Sequence, residues 1–135
     1  MADEHIIGNE GRLTGNLNCP CGCRMALEQP MISLLKSITR EIGDIYITSG
    51  ARCEKHNIKV GGKKNSAHIL GKAVEVATLD ARIRYKVIKS ILGRGVKRVG
   101  WGGAEKFLHF DIATGAVPYP TDTLKEYPQD VAWDY

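Results

Sequence analysis

No stretch of this 135-residue sequence stays apolar over the roughly 18 residues that a membrane-spanning helix needs. The opening residues Met1 to Gly8 are acidic and lack a basic start followed by an apolar run, so they do not read as a secretory signal, and synthesis in the cytosol without a signal peptide is expected. Charge of one sign is also scarce: nineteen Lys and Arg against fifteen Asp and Glu give +4, a bias that favours an anionic partner without identifying one. No C-x-x-C redox pair is present among the four cysteines. Cys19, Cys21 and Cys23 follow a C-x-C-x-C spacing tighter than the pairs that usually wrap zinc, and Cys53 stands apart. Reduced cysteines in a tight turn with Cys53 packed nearby, a second metal site and a disulfide to Cys53 all stay open. No internal repeat or low-complexity run appears, and the length and 43% hydrophobic content suit one domain with a modest core.

Residues 1–24 carry Gly, Asn and the Pro20-Cys21-Gly22 turn signal without sustained periodicity, and are expected as an irregular lead-in to a domain over 25–135. Pro30 suits a first helical turn, with Met31, Leu34, Leu35, Ile38 and Ile42 at helical spacing before Gly43. Asp44 to Thr48 reads as a strand. The Gly- and Lys-rich stretch 51–72 is the expected working loop, its Lys55, Lys59, Lys63 and Lys64 either solvated or facing an anionic substrate. Ala73 to Ala77 reads as a second strand, and Asp80 caps a helix over 81–92 whose stripe is Ile83, Val87, Ile88, Ile91 and Leu92. Lys97 to Trp101 and Phe107 to Ile112 complete the strands, and the tail from Pro118, with Tyr119, Tyr127, Trp133 and Tyr135, is expected to lie irregularly across the domain.

Strand periodicity locates the chemistry. Val74 and Val76 share one face, leaving Glu75 with Ala73 and Ala77 on the other; Leu108, Phe110 and Ile112 likewise leave His109 and Asp111 together. A carboxylate in mid-strand costs several kcal/mol to bury unless a cation, a metal or hydrogen-bond donors compensate it, and Arg52 or Arg98 would serve as well as an ion. Taken singly, each residue has such a plain structural reading. Taken together, His68, Glu75 and His109 supply two imidazoles and a carboxylate, the donor set of many catalytic zinc sites with one position left for water.

The run Ser66-Ala67-His68-Ile69-Leu70-Gly71-Lys72-Ala73-Val74-Glu75 resembles the S-x-H-x-x-G-x-A-x-D signature of the zinc D-Ala-D-Ala carboxypeptidase family, which includes vancomycin-resistance dipeptidases and phage endolysins. Ser49-Gly50-Ala51-Arg52-Cys53 with His56-Asn57, Val60-Gly61-Gly62, and Phe107-Leu108-His109-Phe110-Asp111 follow in family order, and the cysteine lead-in is similar to that of phage-associated members. The resemblance spans roughly residues 19–133. It implies an α+β single domain with a Hedgehog-like fold, helices packed on a mainly antiparallel sheet. It also implies one zinc per chain on His68, Glu75 and His109, Arg52 as a substrate-binding cation, and Ser66 at the site edge. Gly71 and Ala73 would let the backbone pass close under the metal.

Two departures stand out. Glu75 occupies the family's Asp position, one methylene longer, and Lys106 stands where many members place a Glu three residues before the last His. Glu105 and Asp111 are then the candidate bases: on an extended strand Glu105 lies roughly 13 Å from His109 and Asp111 about 7 Å. Asp111 could instead orient His109. The function implied is zinc-dependent hydrolysis of D-amino-acid peptide bonds in peptidoglycan, the partners being its stem peptides and the site of action the cell wall after release. The alternative is a catalytically impaired zinc-binding module that recognises wall peptides. Nucleic acid is not an expected partner, since the lysine loop lacks aromatic interleaving or a docking motif. Neither the bond cut nor the oligomeric state follows from the sequence.

Overall fold

The computed structural model describes residues 3–7, 11–103 and 106–135, with side chains from Gly11 onward. Its sheet, among the described residues, has seven strands: β1 (Asp3–Ile7), β2 (Gly11–Gly15), β3 (Ile45–Ser49), β4 (Ala73–Ala77), β5 (Arg98–Trp101), β6 (Phe107–Asp111) and β7 (Val131–Asp134). Their order is β1-β2-β3-β4-β6-β5-β7, antiparallel except where β2 meets β3 and β5 meets β7. Three α-helices accompany it: α1 (Gln29–Ile42), α2 (Glu54–Lys59) and α3 (Ala81–Gly93). This is the α+β domain with a mainly antiparallel sheet that the sequence suggested.

Helix α1 forms where its signals lie. Pro30 occupies the first turn, Gly43 ends the helix at a φ of 96°, and Met31, Leu35 and Ile38 line the buried face. Asp80 caps α3 by accepting the N–H of Ile83. The α3 stripe is narrower than its spacing suggested, since Val87 and Ile91 are buried while Ile83 and Leu92 are exposed. Both helices pack on one face of the sheet, where Ile47, Val74, Val76, Leu108 and Phe110 form the main core. Fully burying each such side chain contributes about 1.5–3 kcal/mol, so this layer anchors the rungs of β4 and β6. The opposite face carries the ionisable residues.

Both ends of the chain are more ordered than expected. Instead of an irregular lead-in, β1 and β2 make a hairpin, and β2 continues the sheet by pairing Leu13 with Ile45 and Thr14 with Tyr46. A strand this short carries little periodicity of its own; Leu13, fully buried beside β3, supplies the packing that fixes it. The tail likewise contains β7, which pairs in parallel with β5 from Arg98–Val131 to Trp101–Asp134. Within the loop 51–72, α2 and a single 3-10 turn (Ala67–Leu70) give local order that its glycines had obscured.

Candidate metal centre

Three elements bring the site together. β4 and β6 are antiparallel neighbours whose register places Glu75 directly opposite His109. His68 arrives from the 3-10 turn, which begins with the Ser66 hydroxyl accepting the N–H of His68 and ends at Gly71, in the left-handed region at φ 70°. A side chain at Gly71 would meet the Ala26 carbonyl at 2.9 Å. The crowding at Gly71 comes from the incoming chain ahead of α1, whose Glu28 N–H donates to the Gly71 carbonyl.

The two imidazoles are held from behind. His68 Nδ1 lies 2.6 Å from the Gly50 carbonyl, which can only accept, so that nitrogen carries the proton and Nε2 keeps its lone pair. His109 Nε2 lies 2.7 Å from Asp111 Oδ2 and donates to it, leaving Nδ1 as the free ring nitrogen. His68 Nε2 and His109 Nδ1 are both buried without a hydrogen-bond partner. Together with a Glu75 carboxylate oxygen they form a set of donor atoms lying within 4.8 Å of one another. Glu75 Oε2 is 3.3 Å from His68 Nε2, and the ring centroids of His68 and His109 are 5.2 Å apart in an edge-on arrangement. Buried lone pairs with nothing to accept are costly; converging on a carboxylate, they fit a divalent cation of zinc's ligand preferences.

Electrostatics prepare these groups for a cation. Burial holds His68 below its ordinary value, so it is neutral near pH 7, the form that ligates metal. Burial acts to raise Glu75, but the neighbouring His68 and His109 imidazoles and the Arg52 guanidinium outweigh it and keep the carboxyl below its usual range. Asp111 follows the same pattern, burial opposed by His109 and Arg98.

The remaining expected residues fall in different places. Arg52 belongs to the centre: its Nη2 lies 3.9 Å from Glu75 Oε2, and Asn57 holds its Nη1 at 3.1 Å. A cleft of about 360 Å³ opens beside Glu75 and Arg52, lined also by Thr48, Ser49, Gly50 and His56. Asp111 is 1% exposed, and both its oxygens are engaged, Oδ2 by His109 and Oδ1 by Arg98 Nε at 2.5 Å and the Ala113 N–H at 3.1 Å. Arg98 is thus Asp111's partner, and Arg52 is Glu75's. Ser66 spends its hydroxyl on capping the turn. Glu105 lies outside the described residues. Lys55, Lys59, Lys63 and Lys64 are all exposed.

Several contributors had no clear mark in the sequence. The Gly50 carbonyl is invisible there because any residue carries one. Trp133 and Tyr135, whose ring centroids lie 5.2 and 6.1 Å from that of His109, are legible in the sequence only as tail aromatics. They pack over Gly100, where a Cβ would come within 2.6 Å of Trp133 Nε1.

Donor set, register and chain order agree with the comparison to known families, in which residues 13–111 match Peptidase M15. The chain belongs to the peptidase M15 family. M15 peptidases are zinc enzymes, and the centre on β4, β6 and the 3-10 turn is one place where this M15 chain offers metal-binding groups. Neither the curated proteins nor the solved structures yielded a match. No helix among the described residues of the M15 domain is long and apolar enough to cross a membrane.

Proposed function

We propose that this chain is a zinc peptidase acting on D-amino-acid-containing peptide bonds of bacterial peptidoglycan, with one zinc held by His68 Nε2, His109 Nδ1 and the Glu75 carboxylate. The observation that carries this reading is the pair of buried, unpartnered imidazole nitrogens converging on that carboxylate. Zinc, when bound, would lower the pKa of a coordinated water and polarise the scissile carbonyl.

The chain's own residues do the rest. The Gly50 carbonyl and Asp111 fix the tautomer and orientation of His68 and His109, the positioning that second-sphere partners give metal ligands. Asp111, with both oxygens occupied, is assigned to positioning and not to proton transfer. Glu105 is the other carboxylate that the sequence offers as proton acceptor. Arg52, held by Asn57 at the cleft, presents a planar cation suited to a substrate carboxylate, and wall stem peptides offer one both at a free terminus and on side chains. Ser66 contributes through the turn that carries His68.

The test is cleavage of purified peptidoglycan fragments by the zinc-loaded protein and by His109→Ala. Released peptide or amino acid from the first and none from the second is the expected result. Equal cleavage by both would overturn the assignment. Zinc and stem-peptide binding without product from either would favour the binding-module reading, which the lengthened Glu75 and the absent Glu at Lys106 motivate.

A further inference from the structure

A second cluster of metal-binding side chains lies apart from the histidines. The Sγ atoms of Cys19, Cys21, Cys23 and Cys53 all lie within 4.8 Å of one another. Cys19 and Cys21 are 3.5 Å apart, Cys21 and Cys53 3.6 Å, and Cys19 and Cys53 3.8 Å. Four thiolates bound tetrahedrally to zinc at about 2.3 Å would be separated by about 3.8 Å, the edge of that tetrahedron. A disulfide would instead draw one pair to about 2.0 Å, and all four cysteines are free.

We infer that Cys19, Cys21, Cys23 and Cys53 form a structural zinc site, closed by four thiolates and distinct from the histidine-carboxylate centre. Alternate residues of an extended chain put side chains about 7 Å apart, too far for three neighbours to share one ion. The chain here is bent: Gly22 has φ 89° and Arg24 φ 69°, and the Cys19 N–H closes onto the Met25 carbonyl at 2.8 Å. That turn gathers three sulfurs from five residues and explains a spacing tighter than the usual zinc pairs. Backbone donors already face two of the sulfurs, Cys53 N–H toward Cys19 Sγ at 3.5 Å and His56 N–H toward Cys53 Sγ at 3.4 Å, contacts that stabilise thiolate charge. Four soft sulfur donors with no imidazole or carboxylate select zinc over harder cations and leave no open position for a substrate.

The site would also brace the neighbouring centre. Cys53 follows Arg52 directly and lies three residues after Gly50, whose carbonyl orients His68. The lead-in meets this segment through the Ala51 N–H and Leu17 carbonyl at 2.9 Å, and Arg52 N–H reaches the His68 carbonyl at 3.0 Å. A metal joining residues 19–23 to Cys53 would therefore tie Pro20, on one side of the cleft, to the segment that carries Gly50, Arg52 and His56.

The inference raises the expected zinc count from one to two per chain, and it is tested with the other site emptied. The full chain carrying His68→Ala and His109→Ala, purified under reducing conditions, should keep one zinc. Replacing that ion with cobalt(II) should give intense near-ultraviolet thiolate-to-cobalt absorption, which Cys21→Ser with Cys23→Ser abolishes. The wild-type chain, titrated with cobalt(II) in parallel, should show the same absorption, which keeps the test valid if the variants do not fold. A folded wild-type chain that takes up cobalt without that absorption would overturn the inference, as would a cysteine pair recovered oxidised from the zinc-treated protein.

Discussion

The histidine-carboxylate centre and the cysteine cluster are built from opposite materials. His68 and His109 are 1% and 4% exposed, whereas Cys21 and Cys23 are exposed at a bend. Glu75 and His109 face each other on adjacent strands of a sheet whose other face is the main core, so their separation is fixed by strand register. The four sulfurs come from two loops that meet through a few backbone hydrogen bonds. A rigid support preorganises ligands and can leave one position free for chemistry; a loop cluster without such support is organised by the ion itself. The first arrangement suits catalysis and the second suits a clip.

The largest effect that sharpens this contrast is expected from His109→Ala, which should reduce peptide-bond cleavage to background while the cysteine-held metal remains, read by activity and zinc content together. Loss of both metals at once would show that the two sites are one cooperative unit. Asp111→Asn should come next, weakening zinc affinity or activity about 10–100-fold with the ligands themselves intact, measured by competition with a chelating dye. Glu75→Asp, which restores the shorter family side chain, should lower activity by up to about 100-fold, because the register here places the longer carboxylate 3.3 Å from His68 Nε2; an increase in activity would contradict that fit.

Acid should then separate burial from exposure. His68 is held below its ordinary value of 6.5 in the fold, so as pH falls through 6.5 the unfolded chain takes up a proton that the folded one refuses. Stability of the metal-free protein should decline from that point, and Asp111, with its depressed carboxyl, adds a further loss as pH falls through its folded value. Thermal melts across that range check this, and His68→Gln should remove the portion that begins near 6.5. The smallest effect is expected from Lys63→Ala with Lys64→Ala, exposed residues whose replacement should shift stability by no more than about 0.5 kcal/mol per site.

Much of this could be read from the sequence because it is local. The alternation in Ala73–Ala77 and Phe107–Asp111 placed Glu75 and His109 on ionisable faces, and the cap and stop signals bounded α1 and α3. What escaped was non-local. β2 and β7 are short strands that exist by pairing with β3 and β5, and no residue within either announces its partner. The carbonyl holding His68, the Arg98–Asp111 pair and the gathering of Cys53 with three cysteines 30 or more positions away depend on turns whose directions composition does not specify.

The measurement that tests the central claim most directly is zinc X-ray absorption on the reduced, zinc-loaded chain. The account predicts a nitrogen and oxygen shell at about 2.0–2.1 Å together with a sulfur shell at about 2.3 Å. A spectrum with sulfur alone would mean that His68, Glu75 and His109 do not hold zinc, and the proposed peptidase centre would be contradicted.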